Sequence, residues 1–125
     1  MFRLFDLLGR SSAVRALDDA FRASGMHPLL VPEPVKLTVI QLTKKHGSGN
    51  QPTDFAQAAH LMAYCILGHE QFTAHHGASE AELLDLRVEN ALEHGSSLDA
   101  KVILLALHSG LISPEITDRI DLEED

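Results

Sequence analysis

Eight histidines in a chain of 125 residues, four of them between His60 and His76, are the side chains best suited to chemistry. Histidine titrates near neutrality and is the commonest metal ligand among side chains. A mononuclear site draws neighbouring ligands from positions i and i+3 or i+4, so that both reach one ion near about 2 Å. The chain contains no H-x-x-x-H, no E-x-x-H of the di-iron bundle type and no cysteine cluster. If one helix runs unbroken through Gly68, then His60, Tyr64, Gln71 and His75 share a side and line a polar groove. His60 and His75 would then stand about 22 Å apart, at roughly 1.5 Å per residue. His69 and His76, two turns apart, are also too distant for one ion. The spacing predicts no metal site and no cofactor, and a histidine-based metal-binding protein is an alternative less favoured than an anion-binding domain.

A second constellation is Lys44, Lys45 and His46, followed by the GSGN loop with Ser48 and then a helix start at Thr53. Backbone donors and a positive helix end favour anions. No Gly-Lys-Ser/Thr closes the loop, so the Walker pattern is absent. A basic helix C-terminus and a flexible connection account for the same residues. The runner-up function is therefore a small-molecule or anion-binding domain using the Lys44–Asn50 loop. For catalysis there is no G-x-S-x-G elbow and no nucleophile beside a base. Only His60 and Tyr64, if they shared a pocket, would support an enzyme, so no catalytic residue is assigned.

The third constellation is acidic. Glu82, Asp85, Glu89 and Glu93 fall at i, i+3, i+7 and i+11 on one helix, where like charges repel slightly and a basic partner would relieve them. The start of the chain adds Phe2 and Phe5 as apolar anchors on a segment too short to persist alone as a helix. These six residues are the expected partner-binding set.

The elements that must position these groups read as helices. TDFAQAAHLMAYCILG, residues 53–68, is apolar over most of its circumference, with a polar strip of only Gln57, His60 and Tyr64. Such a helix must be buried by its neighbours. Thr53 reads as its N-cap. LDAKVILLALHSG, capped by Ser97 or Ser96, is the second markedly apolar helix, covers 97–109 and should pack against the first. Between them Ser79 and Glu82 form a capping-box pattern for a helix reaching His94.

Upstream, residues 2–8 predict a short turn ended by Gly9. A separate helix from Ser11 or Ser12 to Ser24 follows, with exposed pairs Arg15–Asp19 and Asp18–Arg22. MHPLLVPEP predicts an extended linker pinned to the core by Leu29, Leu30 and Val31. Residues 35–46 fit either a strand or a helix. Pro34 at the start and the basic run before Gly47 favour helix. Ser113 and Pro114 open a short last helix, and the tail 121–125 is acidic.

The sum is one all-α domain over 1–125, a compact bundle of about six or seven helices. The segment 1–9 serves as a docking piece. Hydrophobic residues at 45% and charged ones at 22% fit a globular chain. A net charge of −8 repels phosphate backbones and anionic lipid, which argues against nucleic acid and membrane surfaces. Arg3 and Asp6 interrupt any signal-like apolar run, and no stretch is long enough to span a bilayer. Cys65, the single cysteine, reads as a buried hydrophobe. The expectation is a soluble, acidic, cytoplasmic helical protein that acts by protein–protein interaction. It should self-associate, as a dimer, through whatever apolar face its two hydrophobic helices leave uncovered.

Overall fold

The apolar stretch around Ala58–Leu67 becomes α3 (Gln51–Leu67), the axis of the molecule. Around it stand α1 (Phe2–Ala23), α2 (Glu33–His46), α4 (His69–His76), α5 (Ala78–Glu93) and α6 (Leu98–His108), and α3 packs against every one of them. The computed structural model describes residues 2–114, 116 and 117, with side chains from Ser12 onward. No strand occurs among the described residues, so the architecture is an all-α bundle of six helices. No helix among them is long and apolar enough to cross a membrane.

Phe55, Leu61, Met62 and Tyr64 of α3 are buried, and Ala58, Ala59 and Ala63 let neighbouring helices come close. Leu17 and Phe21 from α1, Val39 from α2, Phe72 from α4, Leu84 and Val88 from α5, and Val102 and Ala106 from α6 complete the core. The expected α3–α6 contact is present, and the Ser97 hydroxyl caps α6 by accepting from the Ala100 N–H at 3.1 Å. Residues 35–46 are helical, with Pro34 in the first turn and the basic run ending at Gly47.

Several local expectations are corrected. The N-terminal turn and the helix after it are one continuous α1. A mid-helix glycine costs only about 1 kcal/mol, too little to stop propagation from a half docked by Leu17 and Phe21. The linker after α1 holds a 3₁₀ turn, Pro28–Leu30, that buries Pro28. Met26 and Val31 anchor it, whereas Leu29 and Leu30 face solvent at 84% and 49% exposure. The cap of α3 is Asn50, whose side-chain oxygen accepts from the Thr53 N–H at 3.2 Å. The capping box does not form, because α5 begins at Ala78 with Gly77 as its N-cap and no side-chain cap bond. The exposed pairs of α1 rearrange too. Arg22 meets Asp19 at 3.2 Å, and Asp18 reaches across to Lys36 of α2 at 2.9 Å.

Most consequential is Gly68. Its φ of 88° and ψ of 165° end α3, and Gly77 repeats that geometry at 94° and 162° after α4. Only glycine reaches this region without strain. The helix is therefore not continuous through Gly68, and α4 is an eight-residue piece folded back between two glycine corners. The Cys65 carbonyl left by the break accepts from the Ser113 N–H at 2.7 Å, which ties the start of the last helical turn to α3.

Candidate functional site

With α4 folded back, the histidines gather in a way no single helix would allow. His60 from α3 stands 4.9 Å, ring centre to ring centre, from His76 of α4 and 5.1 Å from Phe72, and both contacts are edge-on. His69 meets the Tyr64 ring at 6.1 Å, and its Nε2 lies 3.7 Å from Asp85 of α5. His75 packs beside His76 at 4.6 Å. Gln71 is exposed and makes none of these contacts, so the groove of His60, Tyr64, Gln71 and His75 does not exist.

His60 carries the most polar surroundings of the group. Its Nε2 is 3.0 Å from a Glu80 carboxylate oxygen, and its Nδ1 is 3.4 Å from the Ser24 hydroxyl at the end of α1. Burial is the largest influence on the imidazole and holds its pKa below 6.5. The hydrogen bond that His60 donates to Glu80 works the other way, and His76 and Arg87 add to the lowering. Beside it opens a recess of about 400 Å³ lined by Ser24, Gln57, His60, Glu80 and Arg87. Arg87 forks onto Asp99 of α6 at 2.9 and 3.1 Å and donates to the Gln57 carbonyl at 3.2 Å.

The order Ser24–His60–Glu80 imitates nucleophile, base and orienting acid, yet its surroundings oppose acyl transfer. The N–H groups of Ser24, Gly25 and Met26 all donate to carbonyls of α1, so they offer no oxyanion donors. The C-terminal end of α1 also points negative potential at that spot. Ser24 is only 4% exposed. What the group does is tie three helices together by hydrogen bonds. No three histidine, cysteine or carboxylate side chains among the described residues are placed to hold a metal ion.

Tyr64 belongs to the core, not to a polar strip. It is fully buried, and its hydroxyl donates to the Asp85 carboxylate. The acidic row therefore divides: Asp85 turns toward Tyr64 and His69, while Glu82, Glu89 and Glu93 stay exposed. The side chains of Phe2 and Phe5 lie outside the described set. Lys44, Lys45 and His46 are exposed at the end of α2. Ser48 donates its N–H to Asp54 at 3.0 Å and its hydroxyl at 2.8 Å. The loop thus already cradles an anion, the protein's own carboxylate. Those bonds, the backbone one foremost, hold the Asp54 pKa below 3.8.

Sequence reasoning missed Ser24, Glu80, Arg87 and Asp99. They come from separate helices, and no spacing along the chain announces their meeting. Comparison of the chain with models of known families, with curated proteins and with solved structures finds no match.

Proposed function

We propose that this chain works by binding another protein, and that the outer face of α5 receives a basic amphipathic helix. The observation that carries the reading is the pair Leu83 and Leu86, each 55% exposed, one turn apart on α5. The exposed carboxylates Glu82, Glu89 and Glu93 border them. Burying what remains exposed of each leucine is worth about 1 kcal/mol. Two such anchors give little affinity alone, so complementary charge has to supply orientation and approach rate. A partner carrying lysine or arginine beside its own apolar stripe relieves the repulsion within the acidic row. The net charge of −8 steers such a partner inward.

Self-association is the second reading, favoured by a different surface. Between α5 and α6 an apolar groove of about 180 Å³ is lined by Leu92, Ile103, Leu104 and Leu107. Leu92 and Leu104 are 38% and 45% exposed there. The lining of this groove is apolar, whereas a dimer built on the outer face of α5 would bring two acidic rows together. Anion binding at the Lys44–Asn50 loop ranks below both, because an entering anion must displace Asp54 from Ser48.

The test is titration of the full chain with a synthetic lysine–leucine amphipathic helix. Binding should weaken about thirtyfold in the Leu83→Ser, Leu86→Ser double variant. It should also weaken on raising salt from about 50 to about 500 mM. Equal binding by the variant, with circular dichroism unchanged, would remove α5 as the docking face.

A further inference from the structure

Between the glycine corners at Gly68 and Gly77, α4 does more than connect α3 to α5. It reaches back to the C-terminal turn of α1. His76 Nε2 donates to the Ser24 carbonyl across 2.7 Å. The His75 ring lies over Gly25 so closely that a Cβ there would collide with it. Phe72, fully buried, is the apolar pin beneath, stacked within 4.4 Å of the His76 ring. The attachment is thus made of one aromatic residue and three imidazoles, counting His60, against whose ring His76 rests.

We propose that α4 is a pH-sensitive latch, closed on α1 while His60 and His76 share at most one proton and released when both are charged. Two imidazolium rings 4.9 Å apart repel strongly where solvent is partly excluded. The groups facing them decide how far this repulsion is offset. Glu80 of α5 sits on the Nε2 side of His60 and compensates one charge. Arg87, from the same helix, adds positive charge nearby, though Asp99 of α6 holds its guanidinium. From α1 the Ser24 hydroxyl and carbonyl face the pair, and the negative end of that helix favours a charge on His76, so the repulsion that opens the latch is the one between the two rings when His60 is charged as well. His75 is the other titratable neighbour, and Asp85 is engaged with His69 and Tyr64. With Asp99 taken up by Arg87, Glu80 is the carboxylate left to face the two imidazoles. Burial already opposes the charged form of His60, so its proton is taken up with loss of packing. The glycine corners let α4 swing without unwinding α3 or α5, and release uncovers Phe72 and the Ser24 end of α1.

Hydrogen–deuterium exchange of the full chain, between about pH 7.5 and about pH 5 and corrected for intrinsic rates, tests the latch. Protection of amides 70–77 should fall about tenfold relative to α6 amides. In His76→Gln, which keeps a donor for the Ser24 carbonyl without a titratable charge, that loss should vanish. His60→Gln should remove it as well. Constant α4 protection in the unaltered protein, parallel opening of α6, or a loss that persists in both variants would overturn the proposal.

Discussion

Tyr64 and Asp85, 21 residues apart, meet across the α3–α5 interface with the phenol donating to the carboxylate. Tyr64 is fully buried and the Asp85 side chain is 25% exposed, so this bond joins the core to the edge of the acidic row. Hydrogen bonds to charged groups are worth about 1.5–3 kcal/mol. Tyr64→Phe should therefore lower unfolding free energy by about 1–3 kcal/mol in urea titrations. A variant as stable as the parent would mean the bond contributes nothing net.

Gly68→Ala should be costlier than an ordinary surface change, because the backbone there sits at φ 88°. Non-glycine residues pay about 1–3 kcal/mol in such regions. The expected result is a lowered denaturation midpoint with helical content retained. An unaltered midpoint would show that the α3–α4 corner relaxes into another geometry.

Stability should decline on acidification in two windows. His60 is held below its ordinary 6.5 in the folded chain, so between the folded and unfolded values the unfolded state binds more protons. Its contribution is complete above about pH 6.5 and is lost as pH falls through the folded value. Asp54, held below 3.8, contributes fully above that pH and loses its contribution at lower pH. Urea midpoints against pH should therefore flatten in the upper window for His60→Gln and in the lower one for Asp54→Asn. Parallel curves for variant and parent would contradict the assignments.

Cys65 is fully buried, and burial pushes its thiol up to about 12. Its reaction with a disulfide reagent at neutral pH should be limited by opening of the fold, and fast only in denaturant. Rapid native labelling would place the thiol at a surface the structure does not give it.

The helices were legible in the sequence where their signals are local. The Ser97 cap, the apolar circumference of α3 and the basic end of α2 each depend on residues within a turn or two of one another. Asn50 went unread as a cap because Thr53, itself a good capping residue, stands three positions later. The continuity of α1 through Gly9 was hidden because docking of its C-terminal half outweighs one weak helix former. Leu29 and Leu30 looked like anchors by composition, yet the 3₁₀ turn directs Pro28 inward in their place. The histidine cluster was visible only as a count. His60 lies 36 residues from Ser24 and 20 from Glu80, and only the break at Gly68 brings α4 to them.

The most direct test of protein binding through α5 is a photo-crosslinking amino acid at position 86, with the exposed Gln41 of α2 as the control position. The account predicts that, in cell extract, position 86 yields a discrete crosslinked partner whose attached peptide is basic and helix-forming, competed by added salt, and that position 41 does not. Identical crosslinking patterns at the two positions, or none at 86 under conditions where 41 reacts, would contradict it.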